Sequence, residues 1–164
     1  MKRYLLLPIV LLSVQSVAQK QQLIIGTYTN NGKSEGIYLY NFDVKTGDAK
    51  QTGVAKGVQN PSYLTISADN KFVYSVNEAS ENSGVSAFNF SAPSAQLHFL
   101  NKRPAGADPC YIIADKKNVI TANYSGGNAT VIGLNKDGSL GETKQVVQHS
   151  GKSINRDRQN NPHV

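Results

Sequence analysis

Short apolar runs alternate residue by residue with polar positions along most of the chain, and each run is closed by Gly, Asn, Asp or Pro. This is the pattern of half-buried β-strands joined by tight turns. No segment spaces its apolar residues with a helical period that competes with this reading. The pattern also recurs. Asn-Pro-Ser-Tyr-Leu-Thr-Ile (Asn60 to Ile66), a turn at Ala68 to Lys71, and Phe-Val-Tyr-Ser-Val (Phe72 to Val76) followed by Asn77 return as Asp108 to Ala114, Asp115 to Asn118, and Val119 to Ala122 followed by Asn123. Pro61 and Pro109 lie 48 positions apart, as do Tyr63 and Tyr111. Gly36 to Phe42 and Gly84 to Phe90 align without a gap at the same offset, and Asn128 to Leu134 is a third, looser copy.

A period of roughly 44 to 48 residues made wholly of short strands is the spacing of β-propeller blades, in which each four-stranded sheet buries its faces against its neighbours. The fold class is therefore all-β, a partial propeller of about three four-stranded antiparallel blades. At ~45 residues per blade and four or more blades, a closed ring needs upwards of about 180 residues. The 164 residues are thus read as the front part of a longer protein. Blade one is expected to begin at its second strand (Leu23 to Thr29), with Gly36 to Phe42 third and Ala49 to Ala55 fourth. Blade two runs from Asn60 to about Ala105, with an inner strand reaching Ile66 and an outer strand at Leu97 to Leu100. Blade three runs from Asp108 to about Gln148, and Ser150 to Val164 is polar and irregular. Tyr40, Phe42, Phe88, Phe90, Ile132 and Leu134 are expected to pack between blades. There is no tryptophan, which separates the chain from the Trp-Asp repeat class.

The first 18 residues do not belong to this pattern. Lys2 and Arg3, an apolar stretch from Tyr4 to Leu12, and Ser16-Val17-Ala18 make a secretory leader with a small-x-small cleavage site. Residues 1–18 are read as signal peptide and 19–164 as the N-terminal part of the propeller domain, exported to the periplasm or beyond. The apolar run is far shorter than the ~20 residues of a spanning helix, so no membrane association is expected once the leader is removed. Cys110 is the single cysteine, which excludes an internal disulfide. The formal charge of +6 is spread over turns rather than gathered into a stripe, and nucleic acid is excluded as a partner. His98, His149 and His163 lack ligand spacing, so neither a metal nor another cofactor is expected.

Strand direction then sorts the loops. The loops before a blade's first strand and after its second share one rim. That rim gathers Asn60-Pro61-Ser62, Asn77-Glu78, Asp108-Pro109-Cys110, Asn123 to Gly127 and the terminal Arg156 to His163. The opposite rim receives the turns at Asp69 to Lys71, Asp115 to Asn118 and Lys136 to Gly138, whose residues are ordinary turn formers. Binding residues sit on the loop face of a rigid scaffold, and the first rim is the one with chemistry to offer.

The segments IGTYT, SEGIYLYNFD, NPSYL, YSVNE, GADPCY, ANYSGGN, DGSL, QHSGKS and Arg158-Gln159-x-x-Pro162-His163, in this order, resemble the seven-bladed propeller lactonases named 6-phosphogluconolactonases, related to muconate-type cycloisomerases. The resemblance runs from Leu23 to Val164. It implies a seven-bladed ring and a small-molecule lactone substrate, opened to its acid. It also implies a second histidine one position beyond Val164, so the chain on its own is expected to be catalytically silent. Opening a lactone takes a base to activate water and fixed donors for the oxyanion. In that chemistry Glu78 is the base or orients the water, His163 shuttles a proton, and Arg158 pairs with an oxyanion or a phosphate. Asn77, Asn123, Tyr124 and Gln159 are the substrate-binding candidates. Each has a plainer reading: Glu78 as a solvated loop carboxylate, Arg158 and Gln159 as a solvated tail, Asn123 and Tyr124 as turn and packing residues, Cys110 as a small buried residue. The rival function is an exported propeller that binds a carbohydrate or a protein without chemistry.

Overall fold

The computed structural model describes residues 20–30 and 32–164. The leader, residues 1–18, lies outside them. Among the described residues, eleven strands form three antiparallel sheets. The first holds β1 (Lys20–Ile25), β2 (Gly36–Asp43) and β3 (Ala49–Lys56) in that order. The second holds β4 (Leu64–Ile66), β5 (Phe72–Asn77), β6 (Gly84–Ser91) and β7 (Gln96–Pro104). The third holds β8 (Pro109–Ala114), β9 (Asn118–Asn123), β10 (Asn128–Leu134) and β11 (Leu140–Gln148). Every strand pairs with its sequence neighbour, so each sheet is a meander. This is the partial multi-bladed propeller that the repeat predicts, and blade one lacks the innermost strand among the described residues.

Two apolar layers join the sheets. Ile37, Leu39, Val58, Val73, Phe88 and Phe90 fill the space between blades one and two, and Tyr74, Val76, Val85, Ala87, Ile112, Val119, Ile132 and Leu140 fill that between blades two and three. Alternate residues of one strand face opposite ways, so Val73 looks back to blade one while Tyr74 looks forward to blade three. The central blade is buried on both faces. Tyr74 ties the second layer further, donating its hydroxyl to the carbonyl oxygen of Gly138 at 3.1 Å.

Several expectations need correction. Among the described residues Tyr40 and Phe42 meet no other blade; they are half-buried on the side of β2 away from blade two, and the contact to blade two comes from Ile37 and Leu39 instead. The inner strand of blade two is three residues long rather than seven, because the left-handed Asn60 (φ 41) and the following Pro61 turn the chain before it can pair. The outer strand of that blade runs on to Pro104, with a bulge at Leu100 opposite Ala87 and Phe88 of β6. The first strand of the chain stops at Ile25, short of Thr29. Cys110 is half-buried rather than buried.

A candidate active site on one rim

The loops assigned to one rim do meet. Asn60, before β4, donates its side-chain amide to the carbonyl oxygen of Glu78, after β5, at 2.7 Å, and the Glu78 backbone N–H returns a bond to the Asn60 carbonyl at 3.2 Å. The Asn60 side-chain oxygen accepts from the backbone N–H groups of Thr29 at 2.9 Å and Asn30 at 3.1 Å, which brings the loop after β1 to the same place. Asn60 is buried and left-handed, and Asp108, at the matching position of blade three, is left-handed too (φ 49) and half-buried. Asn and Asp tolerate that conformation best among residues with a side chain. Asp108 in turn accepts from the Ser80 backbone N–H at 3.1 Å, joining blade three to the loop behind Glu78.

Glu78 stands half-buried on this frame. One carboxylate oxygen accepts the Tyr28 hydroxyl at 2.7 Å and the other accepts a short bond from the Ser62 hydroxyl. The bond to Glu78, together with partial burial, pushes the Tyr28 phenol above its ordinary range. Beyond Ser62, the ring of Tyr63 lies 4.8 Å from that of Tyr111, its counterpart in blade three. Cys110 places its sulfur 3.7 Å from the Ala122 carbonyl oxygen and 3.8 Å from that of Val164, so the terminal segment reaches the same surface.

That segment forms the second half of the rim. His163 stacks on Tyr124 with ring centroids 4.1 Å apart at 36°. Gly127, at φ +58, passes directly beneath Pro162, where a Cβ would strike the Pro162 carbonyl, so glycine is what lets the tail cross. His149, Lys152, Gln159, Pro162, His163 and Val164 line an open cavity of about 400 Å³. Gln159 is half-buried, and its carbonyl oxygen accepts the Ser153 N–H at 3.0 Å. Arg158 is exposed, and among the described residues its guanidinium has no hydrogen-bond or ion-pair partner.

The structure thus brings Glu78, Tyr124, Gln159 and His163 to one surface but joins Glu78 to neither Arg158 nor His163 by a direct bond. It withdraws two other candidates from that surface. Asn77 is buried, giving its amide N–H to the Gln59 carbonyl at 3.0 Å and accepting the Ser86 hydroxyl at 2.8 Å. Asn123 is fully buried and gives its amide to Asn128 at 2.6 Å and Thr130 at 2.9 Å. Both serve the blades beneath the rim. Tyr28 and Ser62 were not singled out from the sequence, yet the register carried the signal: Tyr28 follows the second strand of blade one as Asn77 and Glu78 follow that of blade two. Among the described residues no three His, Cys, Asp or Glu side chains converge as metal ligands, and no helix is long and apolar enough to cross a membrane.

Residues 22–164 match the family model described as lactonase, 7-bladed beta-propeller. The 6-phosphogluconolactonase of Bacillus subtilis (strain 168) is 35% identical over 143 residues, which are 85% of this chain and 40% of that protein. The crystal structure of a putative 6-phosphogluconolactonase from Bacteroides fragilis NCTC 9343 superposes with a TM-score of 0.82 at 44% identity, over 88% of this chain and 40% of that one. A periplasmic gluconolactonase of Pseudomonas aeruginosa superposes at 0.73 with 28% identity, over 82% of this chain and 40% of that one. The chain spans about two-fifths of the length of the curated relatives it matches. With three consecutive meander sheets, a shared rim and a family match over all of them, the chain belongs to the seven-bladed β-propeller lactonase family.

Proposed function

We propose that the whole protein hydrolyses a sugar lactone to its acid at this rim, with the 6-phosphoglucono lactone and its unphosphorylated counterpart as the candidate substrates. The observation that carries the reading is the meeting on one surface of a half-buried carboxylate and the histidine-bearing tail, in a chain of this family. Water adds to the lactone carbonyl carbon, its proton passes to a base, and the tetrahedral intermediate collapses with cleavage of the ring C–O bond as the ring oxygen takes up a proton. His163 is the group assigned to proton transfer, since its imidazole stands at the open cavity. Arg158, with a free planar fork, is assigned to the developing oxyanion or to a phosphate. Glu78 fits orientation better than proton abstraction, because both of its oxygens already accept hydroxyl protons.

We also assign the protein to an exported location, on the leader at residues 1–18 and the periplasmic relative from Pseudomonas. N-terminal sequencing of the mature protein is expected to begin at Gln19, and a mature form still carrying Met1 overturns this. For the activity, Arg158→Lys in the whole protein is expected to lower kcat/KM for lactone opening by about tenfold or more, because a single ammonium cannot replace a bidentate fork. Lys117→Ala, on the opposite rim, is expected to leave it unchanged. Acid release above the spontaneous rate measures both, and equal rates for the two variants at unchanged folding remove Arg158 from the mechanism.

A further inference from the structure

The cluster at Tyr28, Ser62 and Glu78 has an unusual hydrogen-bond balance. Tyr28 has one O–H and donates it to Glu78 at 2.7 Å; Ser62 has one O–H and donates it to the other Glu78 oxygen. The carboxylate has no proton to give. What the cluster turns to a ligand is therefore lone pairs alone: those of the Tyr28 and Ser62 oxygens and the unused ones of Glu78. Several neighbouring donors are spent as well: one N–H of the Asn60 amide is given to the Glu78 carbonyl, and the backbone N–H groups of Thr29 and Asn30 are given to the Asn60 side chain. The Ser62 N–H bonds the Asn60 carbonyl at 2.8 Å. Tyr28 is 54% exposed. Across the rim the balance reverses: Lys152 at the cavity and Arg158, which has no partner among the described residues, are donors and cations.

We propose that Tyr28, Ser62 and Glu78 form a subsite for the hydroxyl groups of a neutral polyol ring, and that this subsite excludes an anionic group from blades one and two. Such a ligand brings the O–H donors that the cluster lacks without bringing charge, whereas a phosphate or carboxylate is an anion and meets the Glu78 charge. The substrate is thereby oriented, its hydroxyl-bearing end on Tyr28 and Ser62 and any anionic end toward the tail. This orientation rests on the lactone reading above; the subsite itself does not, since it is a statement about binding.

The test is made on the whole protein with 1,5-anhydro-D-glucitol, a neutral polyol ring with no lactone to open, and with inorganic phosphate as the anionic probe. Titration calorimetry or saturation-transfer NMR is expected to show binding of the anhydroglucitol, weakened about tenfold by Tyr28→Phe, as expected for loss of one hydrogen-bonding atom. Ser62→Ala is the second variant, should Tyr28→Phe perturb folding, and is expected to weaken it similarly. Neither variant is expected to change the affinity for phosphate. With δ-gluconolactone as substrate, Tyr28→Phe is expected to raise KM about tenfold with kcat within twofold, a split that a merely structural role does not produce. Unchanged anhydroglucitol binding in both folded variants, or no binding to the wild type, overturns the subsite. An absence of lactone opening alongside intact, variant-sensitive anhydroglucitol binding overturns the hydrolase reading and leaves the subsite standing.

Discussion

Asn77 and Asn123 end the second strands of consecutive blades, and their side-chain amides point opposite ways. In blade two the Asn77 oxygen accepts the Ser86 hydroxyl and the Asn77 N–H₂ reaches the Gln59 carbonyl, so both ends are paired. In blade three the Asn123 N–H₂ is given to both Asn128 and Thr130, while its oxygen is buried without a partner among the described residues. The cause lies across the ladder. Asn77 pairs with Gly84, and Asn123 pairs with Asn128. Asn128 fixes its own amide N–H₂ on the Gly126 carbonyl and the Gln148 side chain, each at 3.0 Å, which leaves an oxygen facing Asn123 and demands a donor there. A repeat places the residue; the residue opposite decides which of its atoms are satisfied.

The strongest way to break this comparison is to put the blade-three residue into blade two. A Cβ at Gly84 would collide with the Arg103 carbonyl on β7, a backbone atom held by the sheet. Gly84→Asn is expected to cost about 3 kcal/mol, the range of overpacked cores, read as a lowered denaturant midpoint of the whole protein. The reverse change, Asn128→Gly, frees the Asn123 amide to turn and accept from Thr130, and is expected to cost about 1 kcal/mol through lost hydrogen bonds and a more flexible strand. A Gly84→Asn protein as stable as the wild type removes close approach as the reason for glycine at this position.

A smaller effect sharpens the contrast at the blade boundary. Tyr74 of blade two reaches blade three through Gly138, whereas the matching residue of blade three is Ile120, which has no polar group to offer. Burial first, then the charges of Asp69 and Asp137, pushes the Tyr74 phenol from 10.0 up to about 12. A folded-state value raised above the unfolded one means stability fully present below pH 10 and lost as pH rises through about 12. In an ultraviolet titration of the phenolates, Tyr74 is expected to ionise late and together with unfolding. Tyr74→Phe is expected to abolish that late step and to cost about 1 kcal/mol at neutral pH. A late step that persists in the variant belongs to another tyrosine.

The fold was legible because its two signals are local: strand alternation, and a period that repeats Pro, Tyr and Gly at one offset. The rim was legible from strand direction alone, which is why Glu78 and Ser62 fall on the same surface as the tail. What could not be read was burial at strand ends. Asn77 and Asn123 look like loop amides in sequence, and only the approach of Gln59 and Asn128 turns them inward. Tyr40 and Phe42 copy the positions of Phe88 and Phe90, but the two later residues are buried because blade one lies against them. Position in the repeat is encoded in the chain; the neighbour that gives the position its environment comes from the assembly of sheets.

The smallest expected effect is the most telling about blade three. Thr121 lies on the same face of β9 as Val119 and Asn123, 1% exposed, with Ile112 and Thr130 on either side of it in the sheet. Among the described residues its hydroxyl oxygen has no partner, whereas the matching Ser75 of blade two donates to the Val76 carbonyl at 2.7 Å. Replacing an unpaired buried hydroxyl by a methyl group of similar shape removes a desolvation penalty, and valine keeps the β-branched preference for the strand. Thr121→Val is therefore expected to raise stability by about 0.5 kcal/mol, while Ser75→Ala lowers it by about the same amount. The two changes remove the same atom type from matching positions and are expected to differ in sign. Urea midpoints for both, measured against the wild type at equal slope, decide the matter. If Thr121→Val also lowers the midpoint, its hydroxyl is satisfied in solution, and the polar layer of blade three is as complete as that of blade two.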